Sequence, residues 1–131
     1  MNRKKSKETT IKIADGQACL KIFSTFNNTI ITITRMNGDK VGDNISARTA
    51  TGYKGAKKTT PLAAQEAAKE VLKKLKELGV SQVKIETKGI GKGQSAAVDK
   101  ICSEPSLRIE SLGDKTPFPF NGCRPRKAPR K

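Results

Sequence analysis

The residues in this sequence best suited to chemistry are those that can hold an anion. Lys88-Gly89-Ile90-Gly91-Lys92-Gly93 places glycines at alternate positions with lysines at 88 and 92. A glycine lets backbone N–H groups come close to an oxyanion, and a helix beginning just after the loop adds a favourable dipole. The spacing is G-x-G-x-G, which departs from the G-x-G-x-x-G of dinucleotide-binding loops. The pattern therefore points to a nucleic-acid phosphate rather than a nucleotide cofactor, with a plain flexible turn as the alternative.

A second stretch has similar chemistry. Gly52-Tyr53-Lys54-Gly55-Ala56-Lys57-Lys58-Thr59 joins glycine, one aromatic ring and Lys54, Lys57 and Lys58 just ahead of a helix start. The P-loop needs four residues between its first glycine and a Gly-Lys pair, and that spacing is absent. A phosphate-tracking loop fits better, with Tyr53 either stacked on a base or ribose or packed beneath the loop. Asn27 and Asn28 lie between two strand-like runs, where side-chain amides satisfy their own turn or donate to phosphate and base edges.

The charge supports a polyanionic partner. Lys and Arg number 27 against 12 Asp and Glu in 131 residues, a net charge of +15. Arg3, Lys4, Lys5 and Lys7 crowd one end; Arg124, Arg126, Lys127, Arg130 and Lys131 crowd the other, with no acid among the last eleven residues. Basic ends around a more balanced middle read as arms for nucleic acid, the alternative being tails kept basic for solubility.

Other chemistries find less support. The chain has no histidine, so the commonest general base and zinc ligand are missing. Cys19, Cys102 and Cys123 are an odd count without CxxC spacing, which suits free thiols in a reducing compartment. Asp15, Asp39, Asp43, Glu86, Asp99 and Asp114 are scattered and form no short motif. A metal-dependent nuclease would need them to meet in space. No run of 18 apolar residues suits a membrane span, and no secretory signal precedes the first strand. Neither a cofactor nor a metal is expected.

The elements that must position these residues follow from periodicity. Residues 10–14 alternate Ile11 and Ile13 as a strand, and Asp15-Gly16 reads as a tight turn. Ala18, Leu20 and Ile22 alternate with Cys19, Lys21 and Phe23 in a second strand. Residues 29–35 form a third, with Ile31 and Ile33 on one face and Thr32 and Thr34 on the other. Asn37-Gly38 then predicts a hairpin, with residues 40–45 as the return strand. Thr60-Pro61 starts a helix whose apolar stripe runs through Ala64, Ala68, Val71, Leu72, Leu75 and Leu78, stopped by Gly79. Residues 80–87 predict a strand. Ser95 caps a short helix over residues 96–103, ended by Pro105, and residues 107–112 predict a last strand. A helix between two strands implies a parallel pair, so the fold class is α/β with a mixed sheet. The basic N-terminal tail covers residues 1–9, the core domain 10–115 and the basic extended C-terminal tail 116–131. Prolines at 117, 119, 125 and 129 keep that tail extended.

Four segments together resemble the bacterial-type ribosomal protein S11 family. They are Ser24-Thr25-Phe26-Asn27-Asn28-Thr29-Ile30, the stretch from Gly52 through Gln65, the loop Lys88-Gly89-x-Gly91-x-Gly93, and Thr116-Pro117-Phe118-Pro119-Phe120-Asn121-Gly122-Cys123-Arg124-Pro125. The last is the most specific. The resemblance implies a ribonuclease H-like fold without nuclease chemistry. It implies a place on the small-subunit platform, where the chain bridges helices of small-subunit rRNA. Ribosomal proteins S7 and S18 would be its neighbours, with the mRNA exit and Shine-Dalgarno cleft nearby and contact with initiation factor three. The matching segments make Asn27, Asn28, Tyr53, Lys54, Lys57, Lys58, Lys88, Gly89, Gly91, Lys92, Gly93, Asn121 and the tail cations the expected rRNA ligands.

The chain also departs from that family. Phe120 stands where the family usually has histidine. Ile90, Lys92 and Gln94 replace the usual prolines and arginine, so a looser loop is expected and a fork-shaped phosphate contact is lost at Gln94. Residues 42–48 match poorly. The Asn-Gly-Cys signature favours a bacterial or organellar ribosome, and the lysine- and isoleucine-rich composition suggests an AT-rich genome.

Overall fold

A computed structural model describes residues 16–41, 44–52, 55 and 59–130. The chain runs β1 (Gln17–Ser24), β2 (Thr29–Thr34), β3 (Ile45–Ser46), α1 (Ala47–Thr51), α2 (Pro61–Leu78), β4 (Gln82–Lys88), α3 (Gly93–Cys102) and β5 (Arg108–Asp114). The strands form one mixed sheet in the order β3-β2-β1-β4-β5. β1 pairs antiparallel with β2 and parallel with β4, and β4 pairs parallel with β5. The mixed α/β class expected from the order of elements is therefore present. The strand expected over residues 10–14 and Asp15 lie outside the described residues.

The helices lie against one face of the sheet. Ala18, Leu20, Ile22, Ile31, Ile33, Val83 and Ile85 are buried on that face, in a core shared with Ala64, Ala67, Ala68, Val71 and Leu75 of α2 and Ala97 and Ile101 of α3. Each buried Val, Leu or Ile contributes roughly 1.5–3 kcal/mol before entropy costs. α2 begins as the sequence indicates, with the Thr60 side chain accepting from the Ala63 N–H at 3.4 Å and proline in the first turn. It ends at Gly79, whose left-handed φ of 73° no side chain with a Cβ adopts readily.

Three local expectations need correction. Among the described residues, the return strand expected over residues 40–45 is seen as a Thr34–Lys40 bridge and the two-residue β3. The Asn37-Gly38 turn does form, with the Gly38 N–H donating to the Arg35 carbonyl at 3.0 Å and the Arg35 N–H to the Asp39 carbonyl at 2.8 Å. Residues 42 and 43 lie outside the described residues, and Ile45 pairs with Ile31 in β3. The short helix α1 was not expected. It is held by a capping box in which the Ser46 Oγ accepts from the Thr49 N–H at 3.1 Å and the Ser46 N–H donates to the Thr49 Oγ1 at 2.9 Å. Finally, α3 starts three residues before the expected 96 and is capped at Lys92, not Ser95. Gly93, at the first helical position, sits so close to Thr29 and Ala64 that only glycine fits there.

Candidate nucleic-acid interface

Because β1, β4 and β5 run parallel, their last residues, Ser24, Lys88 and Asp114, share one edge of the sheet. The loops leaving that edge carry most of the expected ligands. In open α/β sheets this carboxyl edge is where ligands bind. α2 and α3 both start there, as the approach of Gly93 to Ala64 requires: a Cβ on Gly93 would stand 2.8 Å from the Ala64 Cβ and 2.5 Å from Thr29 Oγ1.

The glycine loop is seated on the β1–β2 turn. A Cβ on Gly89 would strike the Ser24 carbonyl oxygen, and one on Gly91 would strike the Ser24 hydroxyl and come to 2.5 Å from the Thr25 carbonyl oxygen. Gly89 also has a φ of 90°. These glycines are thus required by packing as well as by any anion. The loop is closely fitted here, against the looser one expected from Ile90 and Lys92. Beneath it Ser24 and Thr29 are buried, their hydroxyls 3.4 Å apart.

The turn itself is self-satisfied. The Thr25 Oγ1 accepts from the N–H groups of Asn27 (3.3 Å) and Asn28 (3.1 Å), and the Asn28 Oδ1 accepts from the Thr29 N–H at 2.9 Å. The Asn28 amide oxygen is therefore committed to its own turn. The Asn27 side chain is exposed, and among the described residues it makes no hydrogen bond.

Lys88 and Lys92 are exposed, and the Lys88 ammonium sits 5.7 Å from the centroid of Phe23. Lys92 occupies the N-cap position of α3 and makes no side-chain cap bond, so its side chain does not satisfy the first N–H groups of the helix. The root of the C-terminal tail is pinned to the same loop. The Gly89 N–H donates to the Thr116 Oγ1 at 3.1 Å. Thr116 in turn donates to the Asp114 Oδ1 from its N–H at 2.9 Å and its hydroxyl at 2.5 Å. These two bonds hold the Asp114 carboxyl below its ordinary pKa range, so it stays charged. The Lys115 N–H donates to the Thr87 carbonyl at 2.7 Å, extending the ladder by one residue. Thr116 and Asp114 are positioning residues that sequence reading missed. The Asp-x-Thr spacing after a strand was the available signal, since a carboxylate there accepts from the N–H two residues on.

Beyond Thr116 the tail is exposed and forms neither helix nor strand through residue 130. Asn121, Arg124, Arg126, Lys127 and Arg130 are all exposed on it. The tail is not simply extended. Asn121 has a φ of 63°, a Cβ on Gly122 would lie 2.8 Å from the Pro119 Cβ, and Phe118 and Phe120 meet edge to face at 5.3 Å. Tyr53, Lys54, Lys57, Lys58 and Lys131 lie outside the described residues. Burial, then the nearby Glu86 carboxylate, raises the pKa of the Cys19 thiol and keeps it neutral. Among the described residues no three Cys, Asp or Glu side chains converge as a metal site.

Comparison with known proteins fits this geometry. The family model of ribosomal protein S11 matches residues 18–130. The small ribosomal subunit protein uS11 of Nautilia profundicola is 42% identical over 127 residues, covering 95% of each chain. The protein named uS11c from Oltmannsiellopsis viridis is 43% identical, over 95% of this chain and 93% of its own. That of Mycoplasmoides gallisepticum is 44% identical over 109 residues, 83% of this chain and 88% of its own. A match over nearly the whole described domain, together with a glycine loop and tail root that meet at one sheet edge, makes this chain a member of the ribosomal protein S11 family.

Proposed function

We propose that the chain is a structural, non-catalytic constituent of the small ribosomal subunit that binds small-subunit rRNA. It works on the ribosome of a bacterium or an organelle. The observation that carries this reading is the convergence at one edge of the glycine loop, the Asn27–Asn28 turn and the root of the cationic tail. A packed core presents these groups, so the backbone N–H donors need little further ordering, and the ordering cost falls on the exposed lysine side chains. Membership of the S11 family and the names of the relatives support the ribosomal assignment.

The finer reading is a ribonuclease H-like domain over residues 10–115, with basic tails at 1–9 and 116–131 that order on RNA. Asn27, Tyr53, Lys54, Lys57, Lys58, Lys88, Lys92, Asn121, Arg124, Arg126, Lys127, Arg130 and Lys131 contact the RNA. Gly89, Gly91 and Gly93 admit the backbone, and Asn28 shapes the turn. The chain sits on the platform, bridges rRNA helices near the mRNA exit and Shine-Dalgarno cleft, and touches ribosomal proteins S7 and S18 and initiation factor three. If about 6–10 phosphates are neutralised, affinity for rRNA falls by about 10³–10⁵ between 50 and 200 mM salt. Gradient sedimentation of tagged chain tests the assembly. Co-migration with small subunits is expected, and absence from those fractions would overturn the reading.

A further inference from the structure

Among the described residues the helices cover one face of the sheet and none lies on the other, where Cys19 and Thr34 are buried but the rows nearer the loop edge are at least partly exposed. The strand registers arrange that second face in three rows. Thr34, Cys19, Lys84 and Ser111 form the first, and Thr32, Lys21, Glu86 and Gly113 the second. Ile30, Phe23 and Lys88 form the third. Lys115, bonded to the Thr87 carbonyl, follows β5 at the same end. Four lysines (21, 84, 88 and 115) thus face one central carboxylate, Glu86, which lies 3.9 Å from the Lys84 ammonium and 4.0 Å from that of Lys115. Glu110 stands at the bulge in β5, away from the third row. Phe23 is 41% exposed, a large apolar ring left out of the core, and the exposed Lys88 side chain whose ammonium lies over it, 5.7 Å from the centroid, must swing toward a phosphate for a base to stack there.

We propose that this face is a second RNA-contact surface, taking an unpaired strand with a base against Phe23 and phosphates along Lys21, Lys84, Lys88 and Lys115. The inference rests on the rRNA-binding reading and extends it to residues outside the edge loops. Charge complementarity selects the occupant. A protein interface concentrates apolar residues at its centre and excludes lysine; here the centre is Lys21 and Glu86. Single-stranded RNA wants the reverse, cations along a track and an aromatic face for stacking. The third row runs directly into Gly89 and Thr116, so a strand held at the edge loops continues onto the face. Gly113 adds to the argument. Packing accounts for Gly89, Gly91 and Gly93, but a Cβ on Gly113 would meet nothing within 4 Å, which leaves room above the sheet for a ligand.

The test uses the full-length chain and small-subunit rRNA. Lys21→Gln with Lys84→Gln removes two amines and leaves the core untouched. The slope of log affinity against log salt should become shallower by about 0.7 for each lysine, while Lys21→Arg with Lys84→Arg keeps it. A photo-cross-linker, Phe23→p-benzoylphenylalanine, should join the chain to rRNA. A wild-type slope retained by the glutamine pair overturns this inference and leaves the rRNA reading standing. So does a cross-link to protein, whether to a neighbour or to the chain's own first fifteen residues. A flat salt response in the wild-type chain removes both.

Discussion

Gly91 lies against Ser24 so closely that a single methyl group on its Cα would collide with the Ser24 hydroxyl. The loop after β4 and the turn after β1 are therefore one packed unit, not two independent flexible segments. Since Ser24 is fully buried and its hydroxyl faces Thr29, the turn has no room to retreat.

Substitution at these glycines should consequently read as lost stability. Gly91→Ala and Gly89→Ala should each cost about 1–3 kcal/mol, through overpacking at both sites and backbone strain at the positive φ of Gly89. Gly113→Ala, into open space, should stay within about 0.5 kcal/mol of wild type. Urea midpoints of the three variants measure the contrast, and equal midpoints would mean that the loop and turn are not packed together.

This contrast also marks what was legible in the sequence. The long helix could be read because its evidence is local: Thr60 and Pro61 at one end, Gly79 at the other, and a stripe at helical spacing between them. The β1–β2 and β1–β4 strands were legible by alternation. The glycine loop was recognised by composition, but the reason for its glycines was not, since Ser24 and Gly91 are distant in sequence and meet only through the parallel pairing of β1 with β4. The start of α3 was misread for the same cause. Ser95 is the better local cap, yet the helix begins at Gly93, which sits so close to Thr29 and Ala64 that only glycine fits there. Helix α1 escaped because five residues carry too little periodicity, although the Ser46 and Thr49 hydroxyls that hold it were in plain view.

Those hydroxyls make α1 sensitive to one atom. Ser46→Ala removes the acceptor for the Thr49 N–H and should lower stability by about 0.5–2 kcal/mol. Ser46→Asp, which keeps an acceptor at the cap, should recover most of it. Thermal melts of the two variants decide whether the cap or merely the serine's size matters.

The Asp114–Thr116 pair should make the tail root sensitive to acid only. The folded state holds the Asp114 proton more weakly than the unfolded chain does, because Thr116 donates two hydrogen bonds to the carboxylate. That stabilisation is complete above the ordinary carboxyl value and is lost as pH falls through the lower folded value. Protection of the Gly89 and Thr116 amides, corrected for intrinsic exchange, should therefore be level across neutral pH and fall only in strong acid. Asp114→Asn should abolish that acid step.

The tail itself should divide binding from folding. Truncation after Gly122 removes Arg124, Arg126, Lys127, Arg130 and Lys131 but keeps the Phe118–Phe120 contact and the packing of Gly122 on Pro119. Residues 123–130 are exposed and no core residue rests on them, so the melting temperature should not move. Binding should move substantially. If each lost cation had neutralised one phosphate, the salt slope for rRNA should shrink by about 0.7 per residue, or about 3.5 for the five. A truncated chain that melts early would mean the tail belongs to the domain. One that folds and keeps its full slope would mean the grip lies wholly in the loops and the sheet.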